Sequence, residues 1–68
     1  MTIALKVNGK ARHLDSPTPL LEFLAQLELG DRPIAIGYNG EVIHRDSWGE
    51  VTLRGGDILD IVHMVGGG

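Results

Sequence analysis

The sequence predicts an α+β fold, a mixed sheet of four to five strands with one main helix across one face. Three observations carry that expectation. Two Asn-Gly pairs, Asn8-Gly9 and Asn39-Gly40, each separate two short segments that read as strands. A single stretch around Leu20 to Leu27 repeats its apolar residues at helical spacing, and the longest apolar run, Ile58 to Val65, comes late in the chain. At 68 residues the chain reads as one small domain. A chain of this size buries only about 60% of the surface its unfolded form exposes, so a thin core is expected.

Met1 to Val7 alternates, with Ile3, Leu5 and Val7 on one side and Thr2, Ala4 and Lys6 on the other, as a half-buried strand does. Asn8-Gly9 follows as a hairpin turn, both residues tolerating the positive φ of a type I′ turn. Lys10 to Leu14 is the return strand. A strict two-residue turn puts Lys10 and Arg12 on the face of Val7 and Leu5, whereas a bulge brings Ala11 and His13 inward, and both registers stay open. In Ser16-Pro17-Thr18-Pro19, Thr18 is placed to cap a helix and Pro19 to fill its first position, where a missing N–H costs nothing.

Leu20, Leu21, Phe23, Leu24 and Leu27 then form a wide apolar stripe opposite Glu22, Gln26 and Glu28. Gly30 is the expected helix-ending residue, and Asp31-Arg32-Pro33 prevents continuation. Ile34, Ile36 and Tyr38 alternate as a strand, and Asn39-Gly40 turns into a short partner, Glu41 to His44. Arg45 to Glu50 is polar apart from Trp48 and reads as a loop or single helical turn. Val51 to Leu53 is a short extended piece, and Gly55-Gly56-Asp57 is a turn. Ile58 to Val65, rich in β-branched residues, suits a central strand beside and parallel to the first. Residues 1–65 are thus expected to form the domain, and 66–68 a flexible glycine tail.

Composition excludes several functions. There is no cysteine, so thiol catalysis and cysteine-based metal sites are out. A net charge of −3 argues against nonspecific nucleic-acid binding, which needs basic residues to replace phosphate counterions. No charged and then apolar leader is visible, and no segment approaches the roughly 20 apolar residues of a membrane span. The expected location is the cytoplasm. His13, His44 and His63 are too scattered to suggest metal spacing, and no catalytic residue or bound cofactor is expected. Asp57 reads as a turn residue, Asp60 as the outward side of a strand, and Trp48 as a cover over the open end of the core, with Arg45 supporting its loop.

The last residues, Gly66-Gly67-Gly68, carry no side chains and tolerate almost any backbone conformation. Fully extended, they reach roughly 10 Å, enough to thread a narrow channel and present a carboxylate to another protein's active site. That carboxylate is a poor electrophile when ionised and must be activated before a nucleophile can attack it. Bare glycines are equally what a frayed terminus looks like.

The wider pattern is more specific. The segment Ala35-Ile36-Gly37-Tyr38-Asn39-Gly40-Glu41-Val42-Ile43, Arg45 with Trp48, Leu53-Arg54-Gly55-Gly56-Asp57 before an apolar strand, and the ending Val65-Gly66-Gly67-Gly68 resemble the ThiS sulfur carriers of the ubiquitin-like MoaD/ThiS group. The resemblance covers essentially the whole chain and implies a ubiquitin-like β-grasp fold. It implies a protein co-substrate of thiamine biosynthesis rather than an enzyme. A ThiF-like adenylyltransferase would adenylate Gly68 with ATP, and sulfur carried by a persulfide would displace AMP. Thiazole synthase, ThiG, would accept sulfur from the resulting thiocarboxylate. Gly66 and Gly67 would thread the partners' active sites. The small subunit of molybdopterin synthase and a ubiquitin-like protein modifier or interaction module are the alternative readings.

One apolar feature falls outside the expected core. If Leu59 and Ile61 face the helix, alternation sends Asp60, Val62 and Met64 to the opposite face, where no second layer exists. Val62 and Met64 are therefore expected to form an exposed apolar patch there. The resemblance to ubiquitin-like proteins, which usually dock their activating enzyme on the helix-free face, implies that these two are the docking residues.

Overall fold

The computed structural model describes residues 1–64. The elements are β1 (Ile3–Val7), β2 (Lys10–Leu14), β3 (Thr18–Pro19), α1 (Leu20–Gln26), β4 (Ile34–Tyr38), β5 (Glu41–Ile43), a 3-10 turn (Arg45–Glu50), β6 (Thr52–Leu53) and β7 (Ile58–His63). Five strands form one sheet in the order β2-β1-β7-β4-β5, and β3 pairs with β6 in a small second ladder. The first and last strands do lie side by side and parallel at the centre, with Lys6 opposite Ile58 and Val7 opposite Leu59. Leu5, Val7, Ile34, Ile36, Leu59 and Ile61 point to one side of the sheet and pack on Leu20, Phe23 and Leu24 of α1, with Trp48 and Leu53 closing the core. No helix among the described residues is long and apolar enough to cross a membrane.

The hairpin register that alternation left open is the strict one. Asn8 and Gly9 both have positive φ, 52° and 82°, and Val7 faces Lys10 while Ile3 faces Leu14, without a bulge. Lys10 and Arg12 therefore share the helix side of the sheet. At this edge strand the arrangement costs little, because Arg12 lays its stem inward and holds its guanidinium 5.5 Å from the centre of the Phe23 ring.

Both helix ends differ from expectation. Thr18 does not cap α1, since its hydroxyl donates to the Ser16 carbonyl at 2.9 Å. Pro19 occupies the cap position instead, and the helix begins at Leu20. The Leu20 N–H is satisfied by the Val51 carbonyl at 2.9 Å, so pairing of β3 with β6 does the work of a side-chain cap. At the other end the left-handed residue is Glu28, at φ 60°, and not Gly30. Leu29 N–H reaches the Leu24 carbonyl at 2.8 Å and Glu28 N–H the Ala25 carbonyl at 3.0 Å, the paired bonds of a Schellman ending. A side chain in that backbone region costs roughly 1–2 kcal/mol, against the smaller entropic cost of glycine. Glu28→Gly is expected to stabilise the fold by about 0.5–1 kcal/mol, read as a raised urea midpoint at unchanged slope.

The two Asn-Gly turns do more than reverse the chain. Asn8 accepts the Ile61 N–H on Oδ1 at 2.7 Å, and Asn39 accepts the Ile58 N–H on Oδ1 at 2.8 Å. Each asparagine thus continues the hydrogen-bond ladder of β7 past the point where its own strand ends. The central strand is gripped on both edges by residues that the turns require anyway.

Candidate functional site

The candidate site is built around the C-terminal end of β7. This strand is central because its odd residues suit the core: Leu59 is fully buried and Ile61 is 8% exposed. Its even residues face the side without a helix, where Val62 is 58% and Met64 52% exposed. Beyond His63 the chain stays tied to the sheet, since Met64 N–H donates to the Pro33 carbonyl at 2.8 Å. Val65 and the expected tail, Gly66, Gly67 and Gly68, lie outside the described residues, which end at Met64.

The open face around this end of β7 is apolar and low in relief. Ala35 pairs with Val62 and Gly37 with both Asp60 and Val42, so small residues of β4 separate the larger side chains of its neighbours. Val42, on β5, and Ile58, at the start of β7, are exposed on the same face. Met64 and Val42 share a shallow groove with Ala35, Ile43 and Trp48. Val62 and Met64 are therefore members of a patch that continues across β4 to β5. The sequence reading missed Val42 because its place on this face depends on the β4–β5 register. The two-residue Asn39-Gly40 turn was the signal that could have found it.

Two polar anchors fix the loops at the ends of the sheet. Asp57 accepts the Tyr38 hydroxyl at 2.6 Å, the Arg54 N–H at 2.8 Å and the Asn39 amide at 3.3 Å, which locks the Gly55-Gly56 turn onto the end of β4. Gly56, at φ 87°, is the position in that turn that needs glycine. Burial alone would raise the Asp57 carboxyl, but the hydrogen bonds from Tyr38, Arg54 and Asn39 outweigh it and hold the group below its ordinary value. The hydrogen bond to Asp57, with burial and the Asp57 charge, raises Tyr38, which keeps its proton and donates at neutral pH. A carboxyl depressed in the fold contributes stability above its ordinary pKa and loses it as pH falls through the folded value. Asp57→Asn is expected to flatten the acid limb of the stability profile, measured as urea midpoints from neutral pH down to about pH 3.

The second anchor is Arg45, which donates to the Gly30 carbonyl at 3.0 Å and the Arg32 carbonyl at 2.9 Å. Its guanidinium also lies 4.4 Å from the Trp48 ring centre. Asp57 and Arg45 are thus fixers of loops, as the sequence suggested. Asp60 is exposed on the open face beside Gly37. His13 lies on β2, His44 just before the 3-10 turn and His63 at the end of β7. What the arrangement offers is an exposed apolar surface at the end of the last strand.

Comparison with known proteins agrees with this anatomy. The model of the ThiS family matches residues 5–68. The sulfur carrier protein ThiS of Bacillus subtilis (strain 168) is 34% identical over 65 residues, covering 94% of this chain and 98% of that protein. A thiazole synthase of Paramagnetospirillum magneticum is 31% identical over 64 residues, 94% of this chain, and the chain spans only 20% of that relative's length. A crystal structure of the thiamine biosynthesis protein ThiS from Geobacter metallireducens superposes with a TM-score of 0.84 at 29% identity, covering 97% of this chain and 100% of that one. The fold is the ubiquitin-like β-grasp, and the chain belongs to the ThiS family.

Proposed function

We propose that this ThiS-family chain is a sulfur carrier of thiamine biosynthesis and that the terminal carboxyl of Gly68 is its working group. The observation that carries the reading is the union of a family match over residues 5–68 with a central strand, β7, whose last described neighbours Val62 and Met64 lie on an open apolar face. A ThiF-like adenylyltransferase docks on that face through Val62 and Met64, and Gly66 and Gly67 lead Gly68 into its active site. The carboxylate attacks the α-phosphate of ATP, pyrophosphate leaves, and the acyl-adenylate replaces a poor electrophile with a good one. The terminal sulfur of a persulfide then forms the new bond to carbon as AMP departs, and a thiol reduces the resulting acyl disulfide to the thiocarboxylate.

Without cysteine the carrier cannot provide this sulfur, so it must come from outside. The acceptor is thiazole synthase; support comes from the two relatives named thiazole synthase, each matching this chain over 20% of its own length. The chain acts as a co-substrate, with no catalytic residue or bound cofactor of its own. ATP is consumed by the adenylyltransferase.

Intact mass after incubation with the adenylyltransferase, ATP and a persulfide donor tests this directly. The expected product is heavier by the difference between one sulfur and one oxygen, located by fragmentation at Gly68. An unchanged mass, or lysine conjugates in place of the thiocarboxylate, overturns the reading. Val62→Asp with Met64→Asp is expected to weaken the complex with the adenylyltransferase at least tenfold by titration calorimetry, at unchanged melting temperature. Two desolvated carboxylates in an apolar contact cost several kcal/mol, which makes tenfold a modest expectation.

A further inference from the structure

A second surface lies away from the Val62–Met64 patch, at the free edge of β2. In the hairpin register, Val7 and Lys10 close the turn as a hydrogen-bonded pair and Leu5 with Arg12 is the next one. Ala11 and His13 therefore turn their backbone N–H and C=O outward, at the edge strand of the sheet. Unpaired edge groups of this kind are a template for another strand.

The charge beside this edge is specific. Half of the chain's six Lys and Arg, namely Lys6, Lys10 and Arg12, lie in residues 1–14, and none of its nine Asp and Glu does. Lys10 and Arg12 flank a groove of about 370 Å³ whose apolar lining includes Val7, Leu27 and Leu29. Asp15 and Glu22 lie at the far end of β2, where a separate groove passes Leu14. The positive end is thus the turn end. A second copy of the chain does not suit this edge, because antiparallel pairing of β2 with itself sets cations against cations. An acidic strand does suit it.

We propose that the free edge of β2 takes an extended acidic segment of a partner protein by strand addition. Its carboxylates, all on the helix side, meet Lys10 and Arg12, and its alternate, apolar residues turn to the opposite face beside Ala11 and His13. The partner's backbone pairs with Ala11 and His13. Binding here leaves Val62 and Met64 uncovered, and it holds whether or not the terminus carries sulfur.

The probe is a short synthetic peptide alternating valine with glutamate, titrated into isotope-labelled full chain and followed by backbone amide shifts. Saturable shifts are expected at Ala11 and His13, with affinity roughly tenfold above that of the valine-glutamine peptide at low salt, a margin that narrows at about 0.5 M salt. Ala11→Pro removes an outward donor at a position where an edge strand tolerates proline, and is expected to abolish binding with the fold intact. Should that variant unfold, Lys10→Glu carries the same test and is expected to remove the preference for glutamate. Absence of saturable binding, equal affinity for a valine-lysine peptide, or shifts confined to Val42, Val62 and Met64 would each overturn the proposal.

Discussion

Removal of Gly68 is expected to abolish the sulfur-dependent mass gain completely while leaving the melting transition where it is. The shortened chain still ends in a carboxylate, on Gly67, so chemistry alone does not predict the loss; geometry does. One residue of extended chain is about 3.5 Å, and a reacting group displaced by even 1 Å from its productive position can cost on the order of 100-fold in rate. With the adenylyltransferase docked on the open face as proposed, its active site is at a fixed reach, and the chain does not make up the missing residue by sliding. Stability is unaffected, because every buried core side chain lies at or before Ile61 and the last described tie, Met64 N–H to the Pro33 carbonyl, precedes the deletion. Adenylation assayed by ATP–pyrophosphate exchange should fall with the mass gain. A variant that still gains sulfur at Gly67 would show that reach is not what selects the reacting carbonyl.

Much of the architecture was legible where one residue type answers one geometric need. Asn8-Gly9 and Asn39-Gly40 announced their turns because few other pairs accept two consecutive positive φ angles, and both turns are tight. The alternation of Ile3, Leu5 and Val7 and of Leu59 and Ile61 identified the inner face correctly, since burial follows the pleat. The helix ends were misread for a common reason: local rules were overruled by tertiary partners. Thr18 yielded its capping role to the Val51 carbonyl, which the sequence places more than thirty residues away. Gly30 lost the left-handed position to Glu28, because packing of Leu29 fixed where the helix had to stop. The site was half legible. Val62 and Met64 are exposed as alternation required, whereas Val42 joins them only through strand pairing. The side-chain bonds of Asn8 and Asn39 to β7 were invisible for the same reason.

Trp48→Ala is the substitution expected to damage the fold most. Trp48 is 2% exposed, its indole N–H donates to the Ile43 carbonyl at 3.0 Å, and the Arg45 guanidinium covers its ring. Truncating a buried tryptophan costs about 3–5 kcal/mol. A domain of this length has a total stability of only roughly 3–10 kcal/mol, so the variant should melt at least about 15 °C lower or fail to fold at room temperature. Trp48→Phe separates two contributions: it keeps most of the apolar volume but leaves the Ile43 carbonyl without its donor, at a cost of about 1–2 kcal/mol. Arg45→Ala removes the cover together with the hydrogen bonds to the Gly30 and Arg32 carbonyls, and its exposed guanidinium makes about 1 kcal/mol the expected loss. Trp48 also lines the groove it shares with Met64 and Val42, so Trp48→Phe is expected to weaken adenylyltransferase binding more than its small stability loss implies. If Trp48→Ala melted within a few degrees of the parent, Trp48 would be decoration on a core that closes without it, and the base of the docking face would have to be sought elsewhere.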